Sequence, residues 1–164
     1  MASTGEDLAA RFRADRGTWR ALVARVPRER ADAPGVMGDW TFKDAVSHLA
    51  AWRARTVGRL EAAVHGAPRP ANPWPGEMTD TDPINAWFRD QAASRTLDDL
   101  LAEYDASFER MAVAVAALPS TANPIESETP GYYRWSDAVG PLESDFFGHL
   151  AEHIADIEAW LSGD

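Results

Sequence analysis

"TLDDLLAEYDASFERMAVAVAAL", residues 96–118, sets Leu97, Leu101, Tyr104, Phe108, Met111, Val115 and Leu118 at alternating steps of four and three. That spacing keeps the apolar side chains on one face of an α-helix through three heptads and is incompatible with a strand. Thr96 and Asp99 stand at its start as a T-x-x-D capping pair, and Pro119 ends it.

The same signals recur outward in both directions. Ser3 and Glu6 open a first helix carried by Leu8, Phe12, Trp19, Leu22, Val23 and Val26 up to Pro27. Thr41 and Asp44 open a second, carried by Phe42, Val46, Leu49, Val57, Leu60 and Val64 up to Gly66. Asp82 and Pro83 read as N-cap and first helical residue of a stretch that breaks near Ser94 and Arg95 before Thr96 restarts it. A final helix follows Gly140 and Pro141 and runs to about Leu161. Between these segments lie loops rich in proline and glycine at 27–39, 66–81 and 119–135. No run of period-two alternation survives, so strands are not required. The expectation is an all-α four-helix bundle with long connecting loops, forming a single domain over 1–164.

Composition narrows the function. The chain has 164 residues and a formal net charge of -10, from 26 acidic and 16 basic side chains. Such a balance argues against nucleic acid and anionic membrane surfaces as partners. Cysteine is absent, which removes disulfides, thiolate ligands and a cysteine nucleophile. No basic and apolar leader opens the chain and no stretch approaches the roughly 20 apolar residues of a membrane span, so a cytoplasmic location is expected.

Chemistry points to the four histidines. In "GHLAEHIADIEAWL", residues 148–161, His149 and His153 are four apart, which puts both imidazoles on one helix face within reach of a single cation. Phe147, Leu150, Ile154, Ile157 and Leu161 form the apolar stripe of that helix, while Phe146, His149, His153, Asp156 and Trp160 run beside it. Helix two repeats the arrangement, with His48, Trp52 and Arg55 alongside its apolar face. Two helices facing one another with these edges can supply three neutral imidazoles to one divalent metal and leave a position open. Without a metal, the same histidines can serve as general bases beside Asp156, Glu152 or Asp145, or simply as hydrogen-bonded residues at the core edge. Asp145 and Glu152 read as surface charges, and Asp156, three residues from His153, as a group that orients it. His65, at the end of helix two, suits the helix dipole and receives no chemistry. Trp52 is the aromatic nearest the histidines. Arg55 can meet a ligand carboxylate, and Tyr132, Tyr133, Trp135 and Trp74, in the two long loops, can wall a pocket.

"GDWTFKDAVSHLAAWRARTVGRL" at 38–60, "DPINAWFRDQAASRTLDDLLAEYDASFERM" at 82–111 and the stretch at 148–161 together resemble the DinB-like superfamily, and within it the ClbS/DfsB family, related to mycothiol-dependent maleylpyruvate isomerases. In that superfamily a histidine in an "HLA" context and an H-x3-H pair hold a divalent metal, and these fall on His48, His149 and His153. The resemblance implies a small-molecule-modifying enzyme, with hydrolysis of an electrophilic metabolite in self-resistance or detoxification as the first reading. It equally admits a metal- and thiol-dependent transferase or isomerase, or a binding protein without chemistry. Zinc, nickel or another divalent metal is the implied cofactor, a thiol the implied cosubstrate, and a homodimer is common among such proteins.

Overall fold

The computed structural model describes residues 5–117 and 143–163. Helix α1 spans Gly5–Val23, α2 Phe42–Val64, α3 Thr81–Ala92, α4 Leu97–Ala117 and α5 His149–Ser162. A single 3-10 turn, Arg28–Arg30, follows α1, and a π-helical stretch, Glu143–Gly148, leads into α5. Among the described residues no helix is long and apolar enough to cross a membrane.

Helix α4 packs along both α1 and α2, and α5 closes the bundle against α1, α2 and the segment before α2. Local chemistry sets the boundaries. The Thr41 hydroxyl accepts from Asp44 N at 3.0 Å while Thr41 N donates to the Asp44 carboxylate at 2.9 Å, a reciprocal capping box that fixes the start of α2. Thr96 likewise accepts from Asp99 N at 3.1 Å to start α4. At the first residue of α1 a Cβ would collide with the Val115 carbonyl of α4, so Gly5 is what permits the close approach of the two helices.

The core of the bundle is made of two clusters. Trp19, Phe42, Tyr104, Phe108, Ile157 and Trp160 fill one end, and Leu8, Phe12, Val57, Met111, Val115, Phe146 and Phe147 the other. A satellite cluster of Trp74, Ile84 and Phe88 packs with Trp52 on the outer side of α2, and it holds the loop before α3 in place. Fully burying one such apolar side chain contributes roughly 1.5–3 kcal/mol, so the two main clusters dominate the stability of the fold.

Several expectations are corrected. A two-stranded antiparallel hairpin, β1 Pro34–Met37 and β2 Trp40–Thr41, stands in what reads as loop. Its strands are too short to show alternation, and the turn is made by Gly38 at φ 63° followed by Asp39. The interrupted third helix is two helices: α3 packs on α2 outside the bundle and α4 alone is the bundle member. Helix α3 starts at Thr81 after Asp80, ahead of the expected Asp82–Pro83 start, and Asp80 makes no side-chain cap. Helix α1 stops at Val23, short of Val26. In α5 the buried face is Leu150, His153, Ile157 and Trp160, with Ile154 and Leu161 only partly covered, so one histidine lies on the core face and not beside it. The loop read at 119–135 and the start at Gly140 and Pro141 lie outside the described residues, as does Ser3.

Candidate metal centre

The capping box at Thr41 places His48 two turns into α2, on the side facing α5. His149 is the first residue of α5 and His153 follows one turn later. His48 Nε2 lies 2.7 Å from His149 Nε2, and His149 Nε2 lies 2.8 Å from His153 Nε2. The rings are nearly perpendicular to one another, with interplanar angles of 72°, 81° and 71°. Among the described residues these three form the one group of metal-capable side chains whose ligand atoms lie within 4.8 Å of one another.

Burial controls their charge. His48 is 6% exposed and its pKa falls to about 3, chiefly because burial penalises the imidazolium and then because His149 and His153 would repel it. His153 is lowered too, again mainly by burial, against the opposing pull of Asp156 and then Glu152. Both imidazoles are therefore neutral near pH 7. Asp156 Oδ2 stands 3.4 Å from His153 Nδ1, an ion-pair distance without hydrogen-bond geometry. That carboxylate favours the tautomer with the proton on Nδ1 and the lone pair on Nε2. Asn85 opposes the fall in the His48 pKa from nearby, although the buried His48 Nδ1 has no strict hydrogen-bond partner. Asn85 itself is fixed by Trp52, whose Nε1 donates to Asn85 Oδ1 at 2.9 Å.

These residues fit a cation. Each Nε2 carries either one hydrogen or one lone pair in the ring plane. His149 Nε2 faces both neighbours at hydrogen-bond distance, and it cannot donate to one while accepting from the other. With the Nδ1 positions protonated, three lone pairs converge on one point. That arrangement is repulsive until a positive charge occupies it. Neutral imidazoles with an outward-facing carboxylate behind one of them are the donor set that zinc, nickel and related divalent ions accept.

His48 and His149 open onto a cleft of about 510 Å³, lined also by Trp52, Arg55, Thr56, Thr81, Gly148 and Glu152. A second groove of about 400 Å³ between α2 and α4 carries His65 and the exposed Val113. No cluster of metal-capable groups lies there among the described residues, so the chemistry is assigned to the histidine cleft.

The structure thus brings together His48, His149 and His153, sets Asp156 against His153, and puts Trp52 and Arg55 on the cleft wall. Tyr132, Tyr133 and Trp135 lie outside the described residues, and nothing is described of the Asp145 side chain. Glu152, read as a surface charge, is exposed and also lines the cleft. Sequence reasoning missed Asn85 and Asn72, which act through tertiary contacts from α3 and from the loop before it and leave no periodic signal.

Residues 4–137 match the family described as the mycothiol maleylpyruvate isomerase N-terminal domain. The chain belongs to that family, within the DinB-like superfamily. The matched segment contains His48 and stops before His149 and His153. A crystal structure of a Streptococcus pneumoniae protein shares the fold, with a TM-score of 0.75 at 12% identity over 98% of this chain and 91% of the other. No curated protein matches the chain.

Proposed function

We propose that this member of the mycothiol maleylpyruvate isomerase N-terminal domain family is an enzyme that modifies a small electrophilic molecule, with His48, His149 and His153 holding a divalent metal. The observation that carries the reading is the meeting of three Nε2 atoms, two of them on imidazoles kept neutral by burial, beside an open cleft lined by His48 and His149. Such a cation, when bound, brings the pKa of a coordinated water or thiol toward neutrality and so supplies a nucleophile.

The chain's own residues do the rest. Asp156, 3.4 Å from His153 Nδ1, favours the tautomer that leaves the Nε2 lone pair free for a cation. The Trp52–Asn85 hydrogen bond holds the indole as a fixed wall, against which the body of an electrophile can lie beside His48. Imidazoles committed to a metal cannot also accept protons, so the general-base reading of His149 and His153 gives way to a ligand role.

Water is the first candidate nucleophile, giving hydrolysis in a detoxifying or self-resistance role. The family match favours a second reading, in which a low-molecular-weight thiol attacks. The chain has no cysteine, so that thiol would enter as a cosubstrate. Zinc- or nickel-loaded protein is to be offered an epoxide, an activated ester and a Michael acceptor, each with and without a small thiol. Turnover without thiol identifies hydrolysis; turnover only with thiol identifies a transferase or isomerase. His149→Ala should lower turnover at least about 100-fold with the helical spectrum unchanged, a loss of the size expected for a cation that stabilises charge in the reaction. Retained activity in that variant would contradict the site.

A further inference from the structure

Helix α3 lies outside the bundle, yet it brings a polar side chain to the histidine cluster. The ring centroids of Phe88 and Trp74 stand 5.6 Å and 5.2 Å from that of Trp52, an aromatic seat that holds α3 against α2. Three residues before Phe88 on α3, Asn85 Oδ1 accepts a hydrogen bond from Trp52 Nε1 at 2.9 Å. An indole N–H can only donate, so the amide atom turned toward it is the oxygen and not the nitrogen. A carbonyl oxygen has two lone pairs, and one remains for a second donor.

His48 is placed to be that donor. Its ring centroid lies 6.5 Å from that of Trp52, one turn on along α2, and 5.4 Å from that of Trp40. Bordered by two indoles and only 6% exposed, the imidazole has little room to turn. Its Nε2 faces His149 at 2.7 Å, so Nδ1 is the nitrogen left for Asn85. Nδ1 is buried without a partner in strict hydrogen-bond geometry, and Asn85 is the hydrogen-bonding side chain that supports a proton on this ring. Burial outweighs that support and keeps the imidazole neutral, with a single N–H. On a neutral ring the nitrogen that keeps the proton donates, and the other one offers its lone pair.

We infer that Asn85 is a positioning residue of the metal centre: its amide oxygen, oriented by the Trp52 N–H, holds the one proton of His48 at Nδ1 and leaves the Nε2 lone pair for a cation. The inference deepens the proposed function and rests on it for what Nε2 holds. His48 and His153 are then backed by different groups, an amide from α3 and a carboxylate from α5. The amide accepts the hydrogen bond without placing a second negative charge against a buried ring.

The test compares the wild type with the N85A and N85D variants, each checked by far-ultraviolet circular dichroism. Long-range proton–nitrogen correlation spectra of the metal-free proteins read the tautomer of His48, its signals identified by their loss in H48Q, and a competition titration reads zinc affinity. The wild type should carry the His48 proton at Nδ1. N85A should shift it toward Nε2 and weaken zinc binding about 10- to 100-fold, the loss typical when the group behind a ligating histidine is removed. N85D keeps an acceptor oxygen in the same place and should keep the Nδ1 proton and most of the affinity. A wild type protonated at Nε2 would overturn the inference. So would an N85A protein that keeps the Nδ1 signature or binds zinc as the wild type does. Equal loss of zinc in N85A and N85D would make Asn85 a packing residue and overturn it as well. If the wild type takes up no zinc, the metal reading fails separately, and the His48 tautomer in N85A still decides the role of Asn85.

Discussion

His48 and Arg53 leave α2 five residues apart and enter two buried polar clusters of opposite construction. Around Arg53 the positive charge is supplied from within. Its guanidinium carbon lies 4.0 Å from the Tyr104 ring centroid, 3.9 Å from Phe108 and 3.7 Å from Phe146, three π-faces turned on one cation. Burial lowers its pKa to about 10, which leaves it charged at neutral pH. Around His48 three imidazole nitrogens converge, two of them on rings that burial keeps neutral. One cluster is complete as the chain folds; the other, on the proposed function, is completed by a cation. The difference separates a structural element from a binding site more sharply than burial does, since both residues are almost wholly buried.

The two clusters should therefore respond differently to substitution. Arg53→Ala leaves a cavity among the three rings and should cost about 3–5 kcal/mol in urea unfolding, with metal content per folded molecule unchanged. Arg53→Met, which fills similar space without charge, should recover most of that loss. Equal damage from both substitutions would show that the charge on the rings, and not the packed volume, holds the bundle there.

Acid should separate the clusters next. The pKa of His48 is about 3 when folded and near the ordinary value of about 6.5 when unfolded, so below the latter the unfolded chain binds the extra proton. Metal-free protein should keep this contribution above about pH 6.5 and lose it progressively, by a few kcal/mol, as pH falls toward 3, while Arg53 stays charged throughout. Unfolding midpoints measured across that range should show the fall in the wild type and a shallower one in His48→Gln. Identical slopes would remove His48 as the cause.

Smaller changes sharpen the contrast. Asp156→Asn removes the carboxylate behind His153 and should weaken metal binding about 10- to 100-fold in a competition titration, with little effect on folding. Tyr104→Phe removes a buried hydroxyl that has no hydrogen-bond partner in strict geometry and keeps the ring beneath Arg53. Its effect on unfolding should stay within about 1 kcal/mol, because no strong hydrogen bond is lost.

Much of this architecture is legible in the sequence because helices announce themselves locally. The heptads of α4 up to Val115, the capping box at Thr41, the Thr96 cap and the His149–His153 spacing are all short-range patterns, and the structure carries each of them. Tertiary contacts are where the reading ends. Nothing near Asn72 or Asn85 in the chain tells that one will hold two arginines and the other a tryptophan. The hairpin before α2 is too short to register as alternation, and the separation of α3 from α4 depends on which face of α2 receives it. Arg53 did leave a signal that was passed over. It stands on the apolar stripe Val46, Ala50, Arg53, Val57, Leu60, a charged residue at a core position that only surrounding rings can accommodate.

The most direct test is elemental analysis of the tag-free protein, purified without chelator, beside a variant with His48, His149 and His153 all replaced by alanine. The expected result is one equivalent of a divalent metal in the wild type, or after addition of zinc or nickel, and none in the variant. A wild type that takes up neither metal, or a variant that retains the same equivalent, would contradict the claim that these three imidazoles wait for a cation.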